Sequence, residues 1–353
     1  MTVKTAVIGV GALGRHHARI LAGLPNTELV AVVDSNREQG QAVAAACHST
    51  WHADCDSILD QVDAVSVVVP TVAHLAVASQ FLERGTSVLV EKPIASSVNE
   101  ARQLVQLATD NNCVLQVGHI ERFNPAMVAA RDEISNPKYI KAERVSPYTF
   151  RSTDIGVVLD LMIHDIDLVL SMVDSTVESV EAFGVGVFGD KEDIAQARLR
   201  FRNGCIADLT ASRVCPDANR KMQVWSDAGC TNIDFGSREV ARYAPGPALL
   251  AGEHTRANPT SIEERNALMQ TVFGKFIQLE QLPVEEADAL TAELTEFIDC
   301  VTTGQQPSVS GQDGLAAIET ADLILQNVAA HCWDGTPAGR VGPDLAAPRL
   351  KVA

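Results

Sequence analysis

Short runs of β-branched residues alternate with helical stretches through the first 120 residues. Strands are predicted over Thr5–Ile8, Glu28–Val33, Ala64–Val69, Ser87–Val90 and Val114–Val117. Between them, apolar residues at helical spacing mark Leu13–Ala22, Glu38–Ala46, Ala73–Arg84 and Val98–Asp110. This alternation predicts an α/β fold, a doubly wound parallel sheet covered by helices on both faces.

Past residue 122 the pattern changes. A strongly apolar helix is predicted over Val157–Met172. Longer alternating runs follow at Val177–Phe188, Ile194–Phe201, Cys205–Ser212, Met222–Ser226 and Asn232–Phe235, and all read as antiparallel strands. Arg202-Asn203-Gly204 and Asp227-Ala228-Gly229 supply hairpin turns. Pro245–Pro259 reads as a long loop. Leu290, Leu294, Phe297, Ile298 and Val301 then give a late helix, and Leu315–Val328 a second. The expected organisation is a first domain over residues 1–122, an α+β domain with an open antiparallel sheet over 123–333, and an extended tail over 334–353.

Composition narrows the class of partner. The chain has 353 residues, 46% of them hydrophobic, and a net charge of −17. Two domains with sizeable cores are expected, at roughly 100–200 residues each. The acidic balance argues against nucleic acid and anionic membranes as partners. No apolar run reaches the ~18 residues of a membrane helix, and the start does not read as a signal peptide, so a cytoplasmic location is expected. Eight cysteines occur without a Cys-x-x-Cys pair, which reads as reduced, mostly buried thiols.

Gly9-Val10-Gly11-Ala12-Leu13-Gly14 follows a predicted strand and opens a predicted helix. In such a Rossmann loop the first glycine makes the turn. The second admits a pyrophosphate, and the third lets helix and strand pack closely. Ala12 and Leu13 then offer backbone N–H groups to the phosphates at the helix N-terminus. Asp34 ends the next strand and would accept hydrogen bonds from ribose hydroxyls while repelling a 2′-phosphate, which favours NAD over NADP. Arg37 could soften that preference. The plainer reading is a turn that needs glycines, with Asp34 as a helix cap.

Two further segments carry candidate chemistry. Glu91-Lys92-Pro93 directly follows a buried strand, at the carboxyl edge where open α/β sheets bind ligands. A lysine there suits proton transfer or polarisation of a hydroxyl; the alternative is a lysine reaching solvent before a proline turn. Along Val157–Met172, Asp160, His164 and Asp167 fall on one stripe of an otherwise apolar helix. An Asp one turn before a His can fix its tautomer and support it as a general base. The alternative is a narrow solvent stripe with a capping Asp. No further His cluster accompanies them, so no metal is expected.

Together, the glycine loop, Glu91-Lys92-Pro93 and Asp160-x-x-x-His164 resemble the Gfo/Idh/MocA oxidoreductases. The resemblance implies a Rossmann domain followed by an α+β domain whose open sheet makes homo-oligomer contacts, in a dimer or tetramer. It implies hydride transfer between a nicotinamide cofactor and a sugar or polyol hydroxyl. Lys92, Asp160 and His164 match the family's catalytic group. Pro70-Thr71, with His74 just beyond, resembles the segment that lies along the cofactor, together with Glu91 and Lys92; Thr71 also reads as a plain helix N-cap.

Val117–Pro125 and Asp160–Asp167 resemble more narrowly the UDP-N-acetylglucosamine 3-dehydrogenases. This implies oxidation at C3 of a UDP-sugar, as a lipid A precursor, and a functional link to an aminotransferase. Substrate contacts would then come from Lys92, His119, Arg122, Asn124, Arg151, Asp160, His164 and Arg213. Arg220 and Lys221 are further cations for the diphosphate. A free polyol such as an inositol would need none of the arginines. A non-catalytic dinucleotide sensor is the remote alternative.

Overall fold

The computed structural model describes residues 2–150, 155–188, 191–253, 258–331 and 333. Arg151 and the 334–353 tail lie outside these residues. The chain divides into two compact units. The first is Met1–Phe123 with Ala287–Leu323, and the second is Asn124–Glu286 with the chain from Ile324 on.

The first unit contains β1 (Val3–Ile8), α1 (Gly14–Gly23), β2 (Thr27–Val33), α2 (Arg37–Ala46), β3 (Thr50–His52), β4 (Ala64–Val67), α3 (His74–Leu82), β5 (Ser87–Glu91), α4 (Val98–Asp110) and β6 (Leu115–Gly118). All its strand pairs are parallel, in the order β3-β2-β1-β4-β5-β6, the Rossmann order expected from the alternation. The chain reverses direction across the sheet between β1 and β4, so the loops leaving these strands flank the natural crevice. The added strand β3 is only three residues long and edges the sheet.

The second unit contains α5 (Pro125–Arg131), β7 (Tyr139–Val145), a π-helical turn at Val158–Met162 that leads into α6 (Ile163–Met172), β8 (Val177–Val185), β9 (Ile194–Phe201), β10 (Ile206–Ser212), β11 (Asn219–Ser226), β12 (Gly229–Asp234), β13 (Glu239–Pro245), α7 (Pro247–Leu250), α8 (Ile262–Thr271) and β14 (Ile277–Leu282). Its eight strands run β14-β13-β12-β11-β7-β10-β9-β8. Every neighbouring pair is antiparallel except β7 and β10, which are parallel. The expected strands are present, with three additions in β7, β13 and β14. β7 alternates, but its polar-looking positions include Arg144, which is buried by an ion pair.

The domain boundary differs from expectation at the end of the chain. The late helices α9 (Ala289–Thr303) and α10 (Gly311–Ala330) begin in the first unit, and its boundary falls within α10. The reason is apolar. Leu290, Leu294, Phe297 and Ile298 of α9 join Val7, Leu21 and Leu89 in the core on one face of the parallel sheet. Ile318 of α10 joins Val65, Phe81 and Leu104 on the other. A parallel sheet needs cover on both faces, and these helices complete it.

Candidate active site

The glycine loop of the first unit shows a distinct demand at each glycine. Gly9 has φ +85°, and a Cβ there would stand 2.5 Å from the Val68 carbonyl oxygen. A Cβ on Gly14 would stand 1.9 Å from the Gly9 carbonyl oxygen. One on Gly11 would meet nothing within 4 Å, so Gly11 is not required by packing. Its bare backbone instead lines a groove of about 480 Å³ with Gly9, Asp34 and Pro70. Leu13 gives α1 no side-chain cap, so the first N–H groups of the helix are left to the loop. A dinucleotide's pyrophosphate fits this combination of bare backbone and helix N-terminus.

Asp34 is tied to that loop. Its Oδ2 accepts the Val10 N–H at 2.9 Å and its Oδ1 accepts the Asn36 N–H at 2.8 Å. The cap of α2 is Asn36, whose side chain accepts the Gln39 N–H, so Asp34 is not the cap. Asp54 and Asp56 line the same groove and add to its negative field. They lie just after β3, a short strand that the hydrophobic pattern does not mark. The Arg37 guanidinium lies over the Trp51 ring, 5.7 Å from its centroid.

Beyond β4, Pro70 is exposed and opens a short 3-10 turn at Thr71–Ala73. Neither that turn nor α3 has a side-chain cap, so Thr71 does not serve as one. His74 is buried, with Nδ1 3.0 Å from the Pro93 carbonyl oxygen and Nε2 2.9 Å from that of Val69. The ring is therefore a brace between two loops. A doubly protonated ring would satisfy both carbonyls. Burial works against that charge and pulls the ring's pKa down, with the two carbonyls and Glu91 opposing.

Glu91 turns inward. Its Oε1 lies 3.2 Å from His17 Nε2, and its Oε2 accepts the backbone N–H of Lys92 at 3.3 Å. Lys92 itself is half-buried and joined to Pro93 by a cis peptide bond. His119 is buried just after β6.

Three expected substrate contacts have structural partners. Arg122 donates to the Ser308 carbonyl at 3.1 Å, just before α10, and to Asp313 at 3.3 Å, in the first turn of that helix. Asn124 caps α5, its Oδ1 accepting the Ala126 N–H. Arg213 is buried, donates to Asp193 at 2.6 Å and to the Ile155 carbonyl at 2.8 Å, and stacks over Tyr148. The two arginines are placed by carboxylates. An arginine beside a buried or partly buried carboxylate is held by it, and a sequence does not show which carboxylate folds against it. Lys221 pairs with Asp234 at 3.3 Å, and Arg220 is exposed on β11.

In the second unit Asp160 and His164, both half-buried, lie on successive turns. Asp160 sits in the π turn. Such a turn takes more residues than an α turn, so residues four apart come nearer the same side. The helix is firmly anchored. Glu192 Oε1 accepts the Val158 N–H at 3.2 Å and compensates the helix N-terminus. Arg144 of β7 grips Asp165 through Nε and Nη2 at 2.8–3.2 Å, both side chains buried. Arg144 and Glu192 were not singled out from sequence, although Asp165 in an apolar helix already called for a partner.

The seven described cysteines are free thiols, and burial pushes Cys55 and Cys230 up to about 11. Among the described residues no helix is long and apolar enough to cross a membrane.

A Rossmann unit with a phosphate-ready glycine loop, and a separate sheet-and-helix unit that carries an Asp–His pair, define a class of nicotinamide-linked oxidoreductases. Residues 3–119 match the oxidoreductase family with the NAD-binding Rossmann fold, and residues 127–231 match the GFO/IDH/MocA C-terminal domain. The chain is 33% identical over 320 residues to the UDP-N-acetylglucosamine 3-dehydrogenase of Acidithiobacillus ferrooxidans, covering 90% of this chain and 95% of that one. A solved structure of that enzyme superposes with a TM-score of 0.82, over 94% of this chain and 98% of that one. The scyllo-inositol 2-dehydrogenase (NAD(+)) of Bacillus subtilis is 30% identical over 338 residues, 90% of this chain and 91% of that one. The protein belongs to the Gfo/Idh/MocA family and is an oxidoreductase acting on CH–OH groups.

Proposed function

We propose that the protein is an NAD-dependent dehydrogenase that oxidises UDP-N-acetylglucosamine at C3 to the 3-keto sugar. The observation that carries this reading is the 33% identity to such an enzyme across 90% of the chain. The ribose of NAD is bound by Asp34, and Asp34, Asp54 and Asp56 together disfavour the 2′-phosphate of NADP. Bound NAD supplies the hydride acceptor. His164 takes the hydroxyl proton, Asp160 holds the His164 tautomer, and Lys92 polarises the hydroxyl or relays its proton. Thr71 and Pro70 border the cofactor; His119 and Arg151 remain candidate substrate contacts.

A second reading has its own support. Arg122 and Arg213, expected to meet a diphosphate, are engaged with Asp313 and Asp193. A free polyol needs neither arginine, and the 30% identity to an inositol dehydrogenase is the matching relative.

NADH formation with a panel of UDP-sugars and polyols separates the two. A glutamate-dependent aminotransferase or a carbonyl trap draws the reaction forward. Turnover with UDP-N-acetylglucosamine alone supports the first reading, and turnover with a polyol alone overturns it in favour of the second. Lys92→Ala and His164→Ala are each expected to retain NAD and to lose turnover by about 10²-fold or more. Turnover retained in both variants removes them from the mechanism.

A further inference from the structure

Arg37 is the cation placed to work against the NAD preference of the groove. It is the first residue of α2, three positions after Asp34, and is exposed. Among the described residues no carboxylate pairs with it. In Rossmann folds an arginine near the acid that ends the second strand accommodates the 2′-phosphate of NADP. A guanidinium left in solvent would turn to such a phosphate, because its fork of N–H groups matches the anion.

Trp51 of β3 engages it instead. The Arg37 guanidinium lies 5.7 Å from the centre of the Trp51 ring, within cation–π range of the best aromatic partner. The ring is fixed on two sides. Its Nε1–H donates to the Asp34 backbone carbonyl at 3.0 Å. Against its edge α2 presents Gly40, where a Cβ would stand 2.2 Å from the ring's Cδ1 and 2.3 Å from its Nε1. A side chain at 40 would therefore push the indole off the helix.

The strand that carries Trp51 also holds the other backbone group of Asp34. His52, the next residue, accepts the Asp34 N–H through its carbonyl at 3.1 Å, and Trp51 itself pairs with Val32 of β2. The three-residue β3 thus grips Asp34 by both N–H and C=O. The carboxylate is turned by Val10, Asn36 and the Gln39 side-chain amide, which donates to it at 3.1 Å.

We propose that Trp51 sets the cofactor preference of this chain: its indole N–H fixes Asp34 for the adenosine ribose, and its ring face occupies the Arg37 guanidinium that would otherwise answer a 2′-phosphate. Trp51 acts through Asp34 and Arg37 and is a positioning residue. The inference deepens the NAD reading and rests on it for the identity of the preferred dinucleotide.

Calorimetric titration of the full chain with NAD and with NADP, without sugar, tests it. Trp51→Leu removes ring face and N–H together. Gly40→Ala keeps Trp51 and displaces its ring. Both are expected to bind NADP about two- to fivefold more tightly, the equivalent of one released cation–π contact. Both should bind NAD about fivefold more weakly, the equivalent of one hydrogen bond. Trp51→Phe, with a ring face and no N–H, should lose NAD affinity without gaining NADP affinity. Adding Arg37→Ala to Trp51→Leu should abolish the NADP gain. An unchanged ratio of the two affinities in Trp51→Leu and Gly40→Ala, both folded by their melting temperatures, overturns the proposal. So does an NADP gain that survives Arg37→Ala. A parent that binds NADP better than NAD overturns the NAD reading alone, because the role of Trp51 is judged by the shift between parent and variants.

Discussion

Replacing Glu293 with Gln should stabilise the protein by an amount that grows with pH. Glu293 occupies the buried stripe of α9 between Leu290 and Phe297, with no exposed surface and, among the described residues, no hydrogen-bond partner for either carboxyl oxygen. Burial and the neighbouring carboxylates hold its pKa well above the ordinary 4.5. Between those two values the unfolded chain has released a proton that the folded protein keeps. Folding therefore binds a proton, and stability falls as pH rises, at about 1.4 kcal/mol per pH unit. Below the ordinary value both states are protonated and this loss vanishes. Gln has nearly the same shape and no ionisation, so it escapes the loss. The advantage of Glu293→Gln over the parent should be smallest near pH 4.5. It should climb by about 1.4 kcal/mol per pH unit above that, and level off at the folded-state pKa. Equilibrium urea unfolding of both proteins in parallel at several pH values measures this. A difference that stays constant from weakly acid to neutral pH would refute the account, because it would mean that Glu293 ionises in the folded state as it does in the unfolded one.

Gly14 and Gly11 of the loop should respond to alanine in opposite ways. Gly14→Ala places a Cβ 1.9 Å from the Gly9 carbonyl and should lower the melting temperature as well as NAD affinity. Gly11→Ala meets nothing within 4 Å and should fold as the parent does while losing NAD affinity, read by calorimetric titration. Arg144→Ala strands Asp165 as a buried charge and should cost about 3–5 kcal/mol in urea unfolding; a smaller loss with Asp165→Asn added would confirm the cause. Cys55 and Cys230, with thiols held at about 11, should resist a disulfide reagent at mildly alkaline pH until the chain unfolds.

Much of the first unit could be read locally. β-Branched runs, helical spacing and the glycine loop are short-range signals. The apolar spacing even predicts the bounds of α4, Val98–Asp110, as observed. The second unit was less legible. β7 was missed because Arg144 reads as a surface residue until Asp165, twenty-one positions on, neutralises it. Likewise β14 is exposed along most of its length and carries little apolar signal.

The candidate site divides in the same way. The sequence alone determined the residue types and their places on elements: Gly9, Gly11 and Gly14 in the loop, Asp34 after β2, Lys92 after β5, and Asp160 and His164 a turn apart. Spacing along one segment is enough for such assignments, because helix and strand geometry repeat locally. Only the tertiary structure decided which polar side chains face inward. Arg122 and Arg213 are held by Asp313 and Asp193, His74 braces two carbonyls, and Glu91 turns toward His17. It also decided that α9 covers the parallel sheet and brings Glu293 toward Glu91. The physical reason is that the free energy of a buried charge depends on its neighbours in space, and those neighbours are distant in the chain.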